Sequence, residues 1–154
     1  MNDTDFMHLA IEFAGRAEEE GEVPVGAVVV CQGDLIASGY NRVIMTDDPT
    51  AHAEIEAIRE AAVILKNYRM PDTTLYVTLE PCPMCAGAII HSRIERVVFG
   101  AFDDKTGAAG SVFNILGNAK LNHKPVIEGG IEQTRCASLL RNFFEERRKK
   151  GYVR

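Results

Sequence analysis

The feature that most constrains the fold is an unbroken apolar run at residues 25–31. The run is too short to cross a bilayer, and a strand without a polar face is typical of a sheet covered on both sides. A second strand pattern at 34–40 follows across Gln32-Gly33, which predicts a β-hairpin. We therefore expect an antiparallel pair of strands that lies between two other layers.

The rest of the chain alternates between helical and strand patterns. The patterns predict helices over 5–20, 52–65, 83–91 and 132–149, and strands over 74–78, 96–100 and 125–128. Strand–helix–strand crossovers make neighbouring strands parallel and place helices on both faces of the sheet. The predicted fold is α/β, a three-layer α/β/α sandwich with a mixed sheet, formed by a single domain over residues 1–154.

Charge and the N-terminal sequence bear on location and partners. The first residues lack the basic stretch and apolar core of a secretory signal, which predicts a cytoplasmic protein without membrane contact. The net charge of −5 argues against a nucleic-acid partner, although residues 147–150 and Arg154 concentrate positive charge near the C-terminus. This basic stretch is either a solvated helix end or a phosphate-binding surface, and composition leaves both open.

Two short motifs, H-A-E at 52–54 and P-C-P-M-C at 81–85, stand where helices are expected to begin. A helix N-terminus favours thiolates, and Cys-x-x-Cys separates two sulfurs by one helical turn. With His52 as a third ligand, the fourth tetrahedral position of a zinc ion is left to water, whose pKa then falls to about 7. The motifs predict one catalytic zinc on His52, Cys82 and Cys85, with Glu54 as the acid–base group.

Other interpretations of these motifs are open. The Cys-x-x-Cys pair alone is compatible with a redox dithiol, and His52 alone with a core histidine. A structural zinc needs a fourth ligand, for which His91, Cys31 and His123 are the candidates. The pairing of H-x-E with P-C-x-x-C favours a catalytic zinc instead. Cys31 and Cys136 are expected to be buried, unreactive thiols.

Several further segments extend the pattern along almost the whole chain. They lie at 22–28, 49–54, 78–82, 84–88, 91–94 and 105–111. With these segments the chain resembles the cytidine deaminase superfamily and, within it, the bacterial tRNA-specific adenosine deaminases (the TadA family). The last segments separate that family from free-nucleoside cytidine deaminases better than the zinc motif does.

The resemblance implies hydrolytic deamination of adenosine to inosine at the wobble position of a tRNA anticodon. It implies that zinc-activated water attacks C6, that Glu54 shuttles protons and that ammonia leaves. It also implies a five-stranded sheet, a homodimer and zinc on the three ligands named above. Asn41 is expected to hydrogen-bond the flipped-out base, and Asp103 to lie near the ribose of the target nucleotide.

RNA contacts beyond the target base are expected at Lys105 and Phe144. Lys105 offers a cation to phosphate, and Phe144 either stacks on a base or packs in the core. Phe102 stands where the family pattern calls for a basic residue. Two other functions compete: deamination of a free nucleobase or nucleoside at the same site, and a zinc-stabilised RNA-binding module without catalysis. Glu54 argues against the module, because a structural zinc has no use for that carboxylate.

Overall fold

The computed structural model describes residues 1–151, which form four helices and five strands. The elements are α1 (Asp3–Glu19), β1 (Gly26–Cys31), β2 (Asp34–Tyr40), α2 (Ala53–Leu65), β3 (Thr73–Leu79), α3 (Pro83–Ser92), β4 (Arg96–Ala101), β5 (Val126–Gly129) and α4 (Gln133–Lys149). Each element expected from the sequence is present, with ends displaced by no more than two residues. Arg154, part of the basic stretch, lies outside the described residues. Within them, no helix is both long and apolar enough to cross a membrane.

The first helix begins before its apolar pattern because Asn2 caps it. Asn2 Oδ1 accepts the Asp5 N–H at 2.9 Å, and the Asp5 carboxylate accepts the Asn2 N–H at 2.9 Å. This capping box occupies two amides that the helix itself leaves unpaired. Asp3, placed in the first turn, accepts two hydrogen bonds from Arg96 of β4, at 2.8 and 2.6 Å, and one from the Tyr76 hydroxyl at 2.7 Å. The Arg96 hydrogen bonds are the main reason that the pKa of Asp3 is lowered to about 2.

The strand order in the sheet is β2-β1-β3-β4-β5. Strand β1 runs antiparallel to both β2 and β3, whereas β4 runs parallel to β3 and β5. Helix α3 forms the crossover between the parallel strands β3 and β4. The predicted hairpin and the mixed five-stranded sheet are both confirmed.

This topology brings four chain segments to one edge of the sheet. The start of β1 pairs with the end of β2, at Gly26 and Tyr40, and the ends of β3 and β4 pair at Leu79 and Ala101. Because β1 is antiparallel to β3, both pairs lie at the same edge. The segments that precede β1 and follow β2, β3 and β4 therefore converge there.

The helices cover both faces of the sheet, and β1 separates the two cores. Ala27 and Val29 lie in the core with α2 and α3, whereas Val28 and Val30 lie in the core with α1 and α4. All four side chains are buried, as the unbroken apolar run predicted. The three-layer α/β/α sandwich is confirmed.

Helix α2 packs unusually close to β2 at Gly39. A Cβ atom at this position would lie 2.5 Å from the carbonyl oxygen of Ala53 and 2.6 Å from the amide nitrogen of Ala57. Only glycine permits such an approach of helix backbone to strand backbone. The contact holds the N-terminus of α2 against the sheet, at the edge where the four segments meet.

Candidate metal centre and active site

His52 and Cys82 hold equivalent positions at the beginnings of α2 and α3. Each is the N-cap residue of its helix, and each has extended backbone, with φ −74° and ψ 156° for His52 and φ −77° and ψ 173° for Cys82. Neither side chain caps its own helix, so both point to another partner. Pro83 opens α3, as its fixed φ favours, and Cys85 follows in the first turn.

The three donor atoms fit a tetrahedral zinc ion. His52 Nδ1 lies 3.6 Å from the sulfur of Cys82 and 3.5 Å from the sulfur of Cys85. Zinc bonds of about 2.3 Å to sulfur and about 2.0 Å to nitrogen, at the tetrahedral angle, separate such donors by about 3.6 Å. All three atoms lie within 4.8 Å of one another, and residues 1–151 contain no second cluster of this kind. The predicted ligand set is confirmed.

No fourth protein ligand joins this cluster. The candidates His91, Cys31 and His123 all lie outside it, among the residues that the structure describes. His123 instead contacts the carbonyl oxygen of Ile94 through Nε2 at 2.6 Å. Three protein ligands are the pattern of a catalytic zinc, which keeps one position for water or substrate.

Protons and metal compete for the three ligands. The hydrogen bond from the Cys85 thiol is the main cause that lowers the pKa of Cys82 to about 4, and the same contact raises the pKa of Cys85. The interaction with Cys82 also raises the pKa of His52. Zinc requires both thiolates and a neutral imidazole, so binding must displace these protons.

Glu54 lies in the first turn of α2, two residues after His52, and its side chain is buried. Burial raises the pKa of Glu54 to about 7, although the neighbouring His52 acts in the opposite direction. A carboxyl group with a pKa near neutrality both accepts and donates protons at working pH. Because His52 is the N-cap residue with extended backbone, Glu54 and His52 reach the same cavity although they are only two residues apart.

The cavity beside the metal ligands has a volume of about 450 Å³, within the range of small-molecule sites. Of the residues predicted to bind substrate, Asn41, Asp103 and Phe144 line it together with Glu54. Lys105 does not line it and is exposed on the loop that carries Asp103. The rest of the lining combines the polar residues Glu22, Glu80 and Thr106 and the metal ligands His52 and Cys82 with five apolar residues, namely Val23, Val25, Val43, Ile44 and Leu79.

A larger cavity, of about 580 Å³, lies between the C-terminal ends of α1 and α4. Its lining mixes acidic residues such as Glu18 and Glu146 with Arg147 and Lys150, and it contains none of the metal ligands. The cavity next to Glu54 is therefore the one that carries the chemistry.

Asn41 fixes the wall of the active-site cavity. Its Oδ1 accepts the N–H of Ala53 at 2.8 Å, and its Nδ2 donates to the carbonyl oxygen of Val23 at 3.2 Å. Asn41 thus caps α2 in place of His52, whose imidazole faces the cysteines. Its amide retains a second N–H and its carbonyl a second lone pair.

Two buried glutamates at this edge were assigned no role from the sequence. Glu22 accepts the N–H groups of Ile44 at 3.1 Å and Met45 at 2.7 Å, and so ties the loop after β2 to the cavity. Glu80 accepts donors from the loop after β4, including the Asp103 N–H at 3.1 Å. In the sequence, Glu22 stands beside the apolar run at 25–31 and Glu80 directly before the P-C-x-x-C motif, and neither has a basic residue nearby. This combination was the available signal for a buried carboxylate.

The aromatic and basic candidates near the C-terminus have mixed surroundings. Arg147 donates to the carbonyl oxygen of Gly21, and its guanidinium lies 4.7 Å from the centre of the Phe143 ring. Phe143 is buried, whereas Phe144 is half-buried at the cavity. Phe102 is half exposed and packs edge-to-face on Phe99, with ring centres 5.1 Å apart. Part of the basic and aromatic sequence therefore serves packing.

The fold and the three-ligand site with its buried acid define a zinc-dependent deaminase. Residues 1–101 match the family model of the cytidine and deoxycytidylate deaminase zinc-binding region. A guanine deaminase from Nitrosomonas europaea shares the fold, with a TM-score of 0.80 and 26% identity over 91% of this chain and 83% of that one.

Two other proteins are more similar. The tRNA-specific adenosine deaminase of Haemophilus influenzae is 50% identical over 98% of this chain and 88% of its own length. A solved structure from biochemical and structural studies of A-to-I editing by tRNA:A34 deaminases has a TM-score of 0.85 and 44% identity, over 89% of this chain and 99% of that one. The chain belongs to the family of tRNA-specific adenosine deaminases.

Proposed function

We propose that this chain converts adenosine to inosine at the wobble position of a tRNA anticodon by hydrolytic deamination. The observation that carries the proposal is the cluster of His52, Cys82 and Cys85 beside buried Glu54, in one cavity. The 50% identity to a tRNA-specific adenosine deaminase over nearly the whole chain supports adenosine in tRNA as the substrate.

The chemistry divides between the metal centre and Glu54. A zinc ion on the three ligands supplies Lewis-acid activation of water at neutral pH. Glu54 takes one proton from the attacking water and passes it to a ring nitrogen of the purine. It then moves the remaining proton of the new C6 hydroxyl to the amino group, which departs as ammonia while C6 becomes a carbonyl. One water is consumed and one ammonia leaves, with the amino group at C6 replaced by oxygen.

The cavity residues suit a flipped-out adenine base. Asn41 offers its second N–H and its second lone pair to the base edge, and Phe144 offers an apolar surface. Asp103 lies at the cavity wall, where it would approach the ribose, and exposed Lys105 on the same loop would approach phosphate. The exposed part of the Phe102 ring is available for stacking on a neighbouring base.

We also propose that two copies of the chain form a homodimer through the side of the sheet covered by α2 and α3. Near the C-terminus of α2, Val63 is 76% exposed and Tyr68 is 75% exposed. Ile64, beside Val63, is 51% exposed, and neighbouring exposed apolar side chains, unlike single ones, mark interaction surfaces where they form a patch. Light scattering should give twice the mass of the chain, and Val63→Glu should reduce it. A monomeric wild-type protein at micromolar concentration would exclude the dimer.

We place the protein in the cytoplasm, because tRNA, the substrate proposed above, is found there. All five strands belong to one sheet, which supports a single deaminase domain over residues 1–154.

A substrate panel tests the proposed function. The zinc-loaded protein is incubated separately with total tRNA, an anticodon stem–loop, free adenosine, cytidine and guanine, and the ammonia and the deaminated product are measured. We expect inosine at the wobble position of RNA only, and none with Glu54→Gln. Deamination of guanine or a free nucleoside but not of RNA would support the alternative, to which the guanine deaminase fold similarity points. Zinc-dependent RNA binding without turnover would indicate a binding module.

A further inference from the structure

Glu80 is a buried carboxylate whose partners all come from one loop. The residue follows β3, and it is 2% exposed. Its Oε1 accepts the Asp103 N–H at 3.1 Å and a short hydrogen bond from the Ser111 hydroxyl. Its Oε2 accepts the N–H groups of Ala109 at 2.9 Å and Ser111 at 3.1 Å. Four donors from the segment 103–111 therefore surround one negative charge.

The same loop is shaped around this carboxylate. A Cβ atom at Gly107 would lie 2.5 Å from the carboxyl carbon and from Oε1 of Glu80, and also 2.5 Å from the backbone carbonyl oxygen of Asp103. This segment contains no helix or strand, and even its nearest residue, Asp103, lies 23 residues from Glu80 in sequence. Hydrogen bonds to a charged acceptor hold such a segment more firmly than neutral ones.

The cavity thus contains two buried carboxylates with different surroundings. Glu54 adjoins the metal ligands and is the proton carrier proposed above. The oxygens of Glu80 are occupied by loop donors, so Glu80 neither moves a proton nor contacts the base directly. The loop contributes Asp103 and Thr106 to the cavity wall; Asp103 donates its N–H to Glu80, and Thr106 donates to the Asp103 carboxylate.

We propose that Glu80 is a positioning residue that organises the segment 103–111 as the substrate-contacting wall of the cavity. The inference deepens the proposed function and rests on it for the identity of the substrate. Without the charge at Glu80, the loop amides lose their common acceptor, and the wall formed by Asp103 and Thr106 shifts. Misplacement by about 1 Å costs up to about a hundredfold in kcat/KM.

Glu80→Gln is the primary test. The substitution keeps the size of the side chain. In either orientation of the glutamine amide, its NH₂ group faces loop N–H or O–H groups, which are also donors, so those hydrogen bonds are lost. We expect amide exchange at Asp103, Ala109 and Ser111, followed by NMR, to accelerate by about 10- to 100-fold, while amides in β3 and β4 keep their protection. With an anticodon stem–loop, KM should rise by about tenfold and by more than kcat falls.

Ser111→Ala provides a second variant. It removes the hydroxyl that donates to Oε1 of Glu80 and leaves both the charge and the loop backbone in place, so it should produce the same exchange pattern and the same rise in KM at a smaller magnitude. This variant keeps the proposal testable if Glu80→Gln does not fold. Zinc content is measured in each variant, because Cys82 lies two residues after Glu80.

Glu22→Gln is the matched control. Glu22 is equally buried and also accepts backbone N–H groups, but from Ile44 and Met45. Its substitution should accelerate exchange at those two amides and leave the segment 103–111 protected. Uniform acceleration throughout the protein in Glu80→Gln, or unchanged exchange in that segment, would overturn the proposal. If the wild-type chain makes no inosine in RNA, the proposed function fails, whereas the exchange data still decide the role of Glu80.

Discussion

Replacing Glu54 with glutamine tests the proposed chemistry most directly. The substitution keeps the size of a side chain that is buried beside the metal ligands, and it removes only the ability to exchange a proton. The metal ligands are untouched, so the variant should bind zinc as the wild-type protein does. Any loss of turnover then reports on proton transfer.

The expected loss follows from the surroundings of Glu54. General acid–base catalysis contributes on the order of 100- to 10,000-fold, with most effect when the pKa is close to the working pH. Burial brings the pKa of Glu54 to about 7. The three other carboxylates that line the cavity, Glu22, Glu80 and Asp103, already accept hydrogen bonds through both oxygens and cannot replace it. Since Glu54 serves several proton transfers, we expect a loss of about 10,000-fold or more, which corresponds to about 5 kcal/mol.

Single-turnover inosine formation in an anticodon stem–loop is the assay. The wild-type rate should rise with pH as Glu54 loses its proton, around the pKa of about 7 that burial gives this carboxyl group. Glu54→Gln should lack this dependence. A zinc-replete variant that retains more than about a tenth of the wild-type rate would refute the acid–base role, since even the weakest general base contributes more.

The other predictions concern the metal, folding stability and RNA affinity. Elemental analysis of the double variant Cys82→Ser, Cys85→Ser should show that zinc is largely lost, and full retention would contradict the assignment. The wild-type protein should release zinc as the pH falls, because protons compete for the same ligands. Asp3→Asn should lower the free energy of unfolding by about 1–2 kcal/mol at pH 7, after allowance for partial exposure, because Arg96 lowers the pKa of Asp3 to about 2. A lowered pKa stabilises the fold above the unfolded-state pKa of about 4, so this difference should disappear as the pH falls to about 2, and a cost that is independent of pH would exclude the ion pair as its cause. Replacing residues 148–150 with glutamine spares the contact of Arg147 with Gly21 and should weaken tRNA binding without changing the zinc content. The slope of the logarithm of the binding constant against the logarithm of the salt concentration should fall in magnitude by up to about two. An unaltered slope would identify the stretch as a solvated helix end.

Local sequence was sufficient to predict the helices and strands and the three metal ligands. Helical and strand periodicity, with proline at 83 and the breaks around it, depends on neighbouring residues and can be read without the fold. The two ligand motifs also stand at helix starts, where the chain itself turns each side chain away from its helix. The sequence therefore determined that His52, Cys82 and Cys85 would be presented at helix N-termini.

Tertiary structure decided how these parts combine into a cavity. The strand order brings the ends of β2, β3 and β4 to one edge, and it depends on pairing between distant segments that no local pattern specifies. Asn41 illustrates the difference. Its side chain accepts the N–H of Ala53, twelve residues further along the chain, and so caps α2, whereas the sequence shows only a polar residue in a turn after a strand.

The two glutamates show the same limit most clearly. In sequence, Glu22 and Glu80 are acidic residues beside apolar segments, and their partners lie 22 to 31 residues further along the chain. A buried charge is stable only where several donors meet it, and apart from the Ser111 hydroxyl those donors are backbone amides, which every residue type except proline carries. Side-chain chemistry thus marked the metal centre in the sequence, whereas the loops that shape its cavity are held by backbone groups and became recognisable only in the folded chain.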